Sequence, residues 1–217
     1  MVMRAYSIGI FPMASHRNDP TVHWVAPTMR GILPLNSFHI PRRLRRRLAD
    51  GTFEVRCDTA FAAVIAACAE PRDGHPETWI NAEIGRVFRE LHARDDAHSI
   101  ETWCDGKLVG GLYGLALGGA FFGESMFSKR TDASKVALVH LVARLRLGGF
   151  ALLDIQFVTT HLRQFGAVEL PAVSYLQLLD KALQRPARFY GDPPSDVLAG
   201  ALGELGALAT QSSTHKS

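Results

Sequence analysis

Two short segments carry the side chains best suited to chemistry. In Leu152-Leu153-Asp154-Ile155-Gln156, a strand period of two puts Leu153 and Ile155 on one face and Leu152, Asp154 and Gln156 on the other. Asp154 and Gln156 then project together, with Cα atoms ~6.5–7 Å apart at a rise of ~3.3 Å per residue. A carboxylate beside an amide near the end of an apolar strand needs hydrogen-bond partners or a ligand, because an unpaired buried charge is costly. Both a structural network between helices and a binding site meet that need. The second segment, residues 108–128, is a glycine-punctured apolar stretch that closes on one carboxylate, Glu124. Gly110, Gly111, Gly114, Gly118, Gly119 and Gly123 weaken a sheet unless backbone or ligand approaches it closely. Alternation places Glu124 and Met126 on one face; the carboxylate either pairs with an arginine or serves a polar ligand. Gly-Glu-Ser-Met-Phe lacks the final glycine of the Gly-x-Ser-x-Gly elbow, which argues against a serine hydrolase.

A third feature is basic. Arg42, Arg43, Arg45, Arg46 and Arg47 are either a solvated helix face or a patch for nucleic-acid phosphates. Arg30, Trp24 and Phe38 lie nearby in sequence, and Trp79 is either core or a stacking platform. The nine histidines have no ligand spacing, so no metal is expected. Cys57, Cys68 and Cys104 are odd in number and form no Cys-x-x-Cys, which fits a reducing compartment and core thiols.

The 217 residues are 47% apolar, as in ordinary globular proteins, and suffice for one large domain or two small ones. No run approaches the ~20 apolar residues of a membrane span and no signal pattern is present, so no membrane is expected and a cytoplasmic location is. The net charge of +3 is uneven: residues 1–50 hold eight Arg against two Asp.

These groups must be positioned by the elements around them. Pro12, Pro20, Pro27 and Pro34 make residues 1–36 loops and short strands covering the rest. Asn36 or Ser37 is expected to cap a helix over residues 41–48, with Gly51 ending it, and Asp58 or Thr59 to cap a buried helix over 60–69. Residues 71–76 read as a turn, and Ile84, Val87, Phe88 and Leu91 recur at helical spacing. The period then changes to two, giving a three-stranded antiparallel meander over 99–103, 108–116 and 120–127. A helix from Asp132 or Ser134 to Gly148-Gly149 follows. Next come a strand over 150–157, a short helix over 161–165, a short strand over 167–170 and a helix over 175–183. The fold class is α+β, and the order meander, long helix, strand resembles the core of acetyltransferase-like (GNAT-like) folds. Residues 191–217, rich in Gly, Ala, Ser and Thr, are expected to form a poorly ordered tail.

Several segments, in order, resemble the leucyl/phenylalanyl-tRNA–protein transferases of bacteria. They include Ala5-Tyr6, Gly9-Ile10-Phe11-Pro12, Arg30-Gly31-Ile32, Thr78-Trp79-Ile80 and His98-Ser99-Ile100-Glu101-Thr102-Trp103. Leu108-Val109-Gly110-Gly111-Leu112-Tyr113-Gly114, Gly123-Glu124-Ser125-Met126-Phe127-Ser128, Leu153-Asp154-Ile155-Gln156, His161-Leu162 and Phe165-Gly166-Ala167 continue the match. The resemblance implies transfer of Leu, Phe or Met from aminoacyl-tRNA to proteins beginning with Arg or Lys, which marks them for degradation. It implies a small, apparently shortened N-terminal domain over residues 1–30 and an acetyltransferase-like catalytic domain over 31–190, with neither acetyl-CoA nor any other cofactor. Asp154 would hold the amine and accept or relay its proton, Gln156 would orient the reacting groups, and Glu124 would orient this pair or the terminal adenosine. Met13, Trp79, Leu112 and Phe121 are the candidates for an apolar amino-acid pocket. Arg30, Arg42, Arg43, Arg45, Arg46 and Arg47 are the candidates for binding tRNA. Two departures stand out: Met13 replaces a tryptophan found in several members, and almost nothing precedes Ala5-Tyr6, where members carry a helical segment. Alternatives are an acetyl-CoA-dependent N-acetyltransferase, for which residues 129–134 lack a glycine-rich pyrophosphate loop, and a non-catalytic RNA-binding module.

Overall fold

The computed structural model describes residues 1–71 and 77–214; the turn expected over 71–76 falls mostly outside them. In chain order the elements are α1 (Val2–Ser7), β1 (Phe11–Met13), β2 (His23–Val25), β3 (Met29–Ile32), a 3-10 turn (Leu35–Ser37) and α2 (Arg42–Ala49). Then come β4 (Glu54–Cys57), α3 (Phe61–Cys68), α4 (Ala82–Ala93), β5 (Ala97–Cys104), β6 (Lys107–Leu117) and β7 (Ala120–Ser128). The chain continues with α5 (Ala133–Leu147), β8 (Leu152–Gln156), α6 (Thr160–Arg163), β9 (Val168–Pro171), α7 (Ala172–Leu183) and α8 (Ser195–Thr214).

The architecture is mixed α/β around a seven-stranded sheet ordered β4-β5-β6-β7-β8-β3-β9, beside a two-stranded β1-β2 ribbon. The meander β5-β6-β7 lies where the period of two places it. All ladders of the large sheet are antiparallel except β7 with β8. That pair is parallel because α5 carries the chain back across the sheet, and a parallel pair needs such a crossover. Side chains alternate between two apolar clusters, one per sheet face. Phe122, Leu152, Phe61, Phe88, Tyr6 and Tyr175 belong to the first, and Phe121, Leu153, Leu138, Leu141 and Leu205 to the second.

Four expectations need correction. The N-terminal segment does more than cover the sheet, since β3 inserts between β8 and β9. Asn36 and Ser37 lie in the 3-10 turn, so α2 starts after Pro41 with no side-chain cap. Asp58 and Thr59 do not cap α3, whose N-cap is Ala60; Asp58 instead accepts from the Ser99 N–H and meets His98 Nδ1, and Thr59 donates to Glu101. Finally, most of the tail expected to be poorly ordered forms α8, whose Leu205 is buried against the cluster containing α5.

The six glycines of the meander answer mostly to backbone and packing. A Cβ at Gly110 would sit 2.5 Å from Ala133 Cβ, and one at Gly118 would sit 2.5 Å from the Leu183 carbonyl. Close approach by α5 and α7, not by a ligand, therefore accounts for these two. Gly123, in contrast, lines a cavity.

Candidate active site

The parallel pair holds together only briefly. Ala120, Phe121 and Phe122 pair with Leu152, Leu153 and Asp154, after which β7 continues along β6 to Ser128 and β8 pairs with β3. A wedge opens between them, and it contains a cavity of about 660 Å³. Gly123, Glu124, Met126 and Ser128 line one wall, and Leu153, Ile155, Gln156 and Phe157 the other. Ser134, Leu138 and Leu141 from α5, with Leu112, form an apolar recess. Phe11, Met13, Thr78 and Trp79 lie across the opening, with the Trp79 carbonyl accepting the Ala14 N–H at 3.1 Å.

Asp154 does not reach this cavity. It is 0% exposed, and Arg30 holds it in a two-pronged ion pair, Nε to Oδ1 at 2.9 Å and Nη2 to Oδ2 at 2.7 Å. The Tyr175 hydroxyl donates to Oδ2 at 2.5 Å and the Gln156 N–H to Oδ1 at 2.8 Å. Arg30 is equally enclosed, 1% exposed, donating Nη1 to the Gly9 carbonyl at 3.0 Å and lying 4.4 Å from the Phe11 ring centre. A buried charge pair survives only when both partners are saturated in this way. Two expectations are thereby corrected: Asp154 is sealed off from incoming groups, and Arg30 is an interior clamp, not a surface contact for RNA.

Gln156, not Asp154, lines the cavity, although it too is buried. Gly31 pairs with Gln156 but Ile32 pairs with Asp154, so Ile155 is an extra residue on β8. Gln156 follows at φ +54°, a conformation that costs a non-glycine residue about 1–3 kcal/mol; the bond from its N–H to Asp154 helps to hold it. Gln156 lines the cavity while Asp154 does not, so the pair does not project together as an unbroken strand requires.

Glu124 is set by a second bulge. Tyr113 pairs with Ser125 and Gly114 with Gly123, leaving Glu124 as the unmatched residue, and bulges of this kind re-aim side chains beside sites. Consequently Glu124 and Met126 do not share a face: Met126 packs into the α5-side cluster, whereas Glu124 accepts a 2.8 Å bond from the Tyr6 hydroxyl on the opposite side. Burial, then the neighbouring Asp154 charge, pushes the Glu124 carboxyl up to about 8, against the opposing pull of Tyr6 and Arg30.

Sequence spacing missed several groups. Among the described residues, the Gln156 Nε2, Tyr113 hydroxyl and His161 Nε2 atoms are buried without a hydrogen-bond partner, and all three residues line the cavity. Burial, then Lys135, lowers the pKa of the His161 imidazole. Buried polar groups normally find partners, so three such atoms in one cavity mark a place for a polar ligand. Tyr6 and Tyr175 act one layer back, on Glu124 and Asp154. Both were out of reach of local spacing, although Tyr6 and His161 lie in the segments that carry the family resemblance.

The remaining candidates divide. Met13, Trp79 and Leu112 line the cavity. Phe121 does not: it is 0% exposed and packs against Phe150 and Phe189 in the core. On α2, Arg42, Arg43 and Arg46 are exposed. Arg47 bonds Asp50 and Thr52, and Arg45 is half-buried beside Leu44. No helix among the described residues is long and apolar enough to cross a membrane.

Comparison with known proteins bears on the same regions. Residues 32–180 match the family model described as leucyl/phenylalanyl-tRNA protein transferase, and residues 1–28 match the model of that family's N-terminal domain. A leucyl/phenylalanyl-tRNA–protein transferase of Paramagnetospirillum magneticum is 60% identical over 189 residues, which cover 87% of this chain and 90% of that protein. One from Caulobacter vibrioides is 54% identical over 202 residues, covering 93% and 91%. Another from Nitrobacter winogradskyi is 54% identical over 213 residues, covering 98% and 94%. With nearly the whole length matched on both sides, the chain belongs to the leucyl/phenylalanyl-tRNA protein transferase family.

Proposed function

We propose that this protein moves Leu, Phe or Met from aminoacyl-tRNA to the α-amine of proteins that begin with Arg or Lys, marking them for degradation. The observation that carries the reading is the wedge cavity. An apolar recess of Leu112, Met126, Leu138, Leu141 and Leu153 adjoins the free Gln156 amide and the Glu124 carboxyl. The recess suits an apolar side chain that is not branched at Cβ, as in Leu, Phe and Met, and such a wall separates neighbouring apolar residues by only ~1–3 kcal/mol per methylene. Met13 and Trp79 stand where the terminal adenosine can rest.

In the reaction the amine nitrogen attacks the ester carbonyl, the C–N bond forms, the bond to the ribose oxygen breaks, and the amine proton ends on that oxygen. Gln156 Nε2, a donor without a partner, can hold the carbonyl as charge develops on it. Glu124 is the ionisable group beside it, and burial lifts its carboxyl out of the usual carboxylate range toward that of an α-amine, which lowers the cost of passing the proton between them. Asp154, bonded to the Gln156 N–H, fixes the turn that aims the amide and does not itself take the proton. Arg42, Arg43 and Arg46 on α2 would meet the tRNA backbone.

The division into a small N-terminal part and an acetyltransferase-like catalytic domain is part of the same proposal, supported by the meander, long helix and parallel strand. Acetyl-CoA itself suits the site poorly. Asp132 precedes α5 at φ +69°, buried and paired with Lys135 at 2.7 Å, so a carboxylate stands where helix-start amides would otherwise receive a pyrophosphate.

Incubation with labelled Phe-tRNA and a peptide beginning with Arg tests the proposal. Label is expected at the peptide N-terminus, and an unlabelled peptide overturns the reading.

A further inference from the structure

The geometry points to a second nucleotide subsite, which receives the unpaired nucleotide preceding the esterified one at the 3′ end of the donor RNA; the inference rests on the aminoacyl-tRNA reading above. A separate cavity of about 390 Å³ is lined by Arg47, Thr52, Phe53, Lys129, Arg130 and Thr131. It brings three cations, two hydroxyl side chains and one aromatic ring into one concavity. Proteins that hold single-stranded nucleic acid combine these features, cations along the phosphates and a ring under a base. A bare phosphate has no use for the ring or for so much room.

The backbone of this place is fixed and Arg47 is held by Asp50 at 2.9 Å, while Lys129 and Arg130 are half-exposed. The Lys129 N–H donates to the Val109 carbonyl at 2.7 Å and the Ser128 hydroxyl to the Arg130 carbonyl at 2.7 Å, which pins the turn after β7. Arg47 Nη1 donates to Thr52 Oγ1 at 2.8 Å, and its guanidinium lies 5.9 Å from the Phe53 ring centre. Lys129 and Arg130 are 50% and 51% exposed. Their charged partners are Glu70 and Asp105 at the surface, Arg130 also meets Cys104 Sγ and Lys129 lies over the Phe127 ring, and exposed ion pairs of this kind contribute ~0–1 kcal/mol. A phosphate can displace them.

Position in the chain decides the occupant. Ser128 lines the wedge cavity and the next residue, Lys129, lines this one, so the two cavities adjoin at the β7–α5 turn. Arg47 belongs at once to this cavity and to α2, whose exposed Arg42, Arg43 and Arg46 extend the same positive track. The single-stranded end of a tRNA has this form, a terminal nucleotide in the reaction site with its neighbours on a basic path behind it.

Donors of graded length test the assignment: phenylalanyl-adenosine, the phenylalanylated trinucleotide CCA, and Phe-tRNA, each with an Arg-starting peptide. In the wild type KM should fall from the nucleoside to the trinucleotide. In the double variant Phe53→Leu with Arg130→Ala, KM for the trinucleotide and for tRNA should rise about tenfold with kcat kept, while both parameters for the nucleoside stay as in the wild type. Equal KM for the trinucleotide in both proteins overturns the subsite, and so does an equal loss on all three donors, which would assign the two residues to the fold. Wild-type protein that transfers from no donor overturns the transferase reading itself, and that result is separate because it does not involve the variant.

Discussion

Glu124 holds a proton for which the attacking amine must compete. With its carboxyl pushed up to about 8 by burial and by Asp154, the form that can accept a proton grows as pH rises and levels off above ~8. Peptide labelling at saturating donor should follow that rise in the wild type. Glu124→Gln should lower the plateau about a hundredfold, within the ~10²–10⁴ range of acid–base assistance, and should remove the limb that belongs to this group; a variant with wild-type rate and profile takes Glu124 out of the mechanism. The sign for stability is opposite. The folded state keeps this proton to about 8 while the unfolded chain releases it near 4.5, so the stabilisation is full below ~4.5 and is lost as pH climbs through ~8. Thermal melts from pH 4 to 9 should show the wild type losing ground to Glu124→Gln over that window. For Arg30 with Asp154, Arg30→Met strands a buried carboxylate and should cost about 3–5 kcal/mol in denaturant unfolding. Adding Asp154→Leu should recover part of that loss, and strict additivity would mean that the pair is not coupled. The chemical types of these residues are legible in the sequence. Their aim is not, because the extra residues Glu124 and Ile155 break the period from which facing is read.

At the scale of elements, β6 and α5 are the closest-fitted pair. Gly110→Ala would place a Cβ 2.5 Å from Ala133 Cβ and 2.6 Å from Thr102 Oγ1, with backbone behind both. Overpacking of this kind typically costs ~1–3 kcal/mol, to be read as a lower denaturant midpoint with unchanged slope; a midpoint equal to the wild type would refute the close fit. α4 is legible because it buries one face, through Ile84, Phe88 and Leu91, and so keeps its period, whereas the meander and α5, buried on nearly all sides, are legible from their apolar runs, their lengths and the turns that bound them. In contrast, α8 is poorly legible: Gly200, Gly203 and Gly206 each disfavour helix by ~0.8–1 kcal/mol relative to Ala. Burial of Leu205 with Leu198, Ala201 and Leu202 alongside the α5 cluster supplies what propensity lacks. Leu205→Ala should therefore destabilise by about 2–5 kcal/mol, whereas a disordered tail would tolerate the change.

Over the whole molecule, the basic end of the chain and the reaction cavity are joined through one continuous sheet. Because β3 sits between β8 and β9, Arg30 arrives in the interior from a segment that composition marks as loop. The α2 patch stays outside, and tRNA affinity should fall linearly with salt on logarithmic axes. Charge neutralisation of Arg42, Arg43 and Arg46 together should flatten that slope by about two to three, at ~0.7–0.9 per phosphate contact; an unchanged slope would remove the patch from the RNA path. By itself the sequence determined the order and type of most elements and the inventory of acids, amide and arginines, since these depend on local period and residue chemistry, while the family came from the resemblance of its ordered segments. Only the tertiary structure decided which of them meet. Tyr6 reaches Glu124 across 118 residues and Arg30 reaches Asp154 across 124, separations that no local spacing encodes. Two single-residue bulges then settled which side chain faces the cavity, because one extra residue in a strand reverses every facing that follows it.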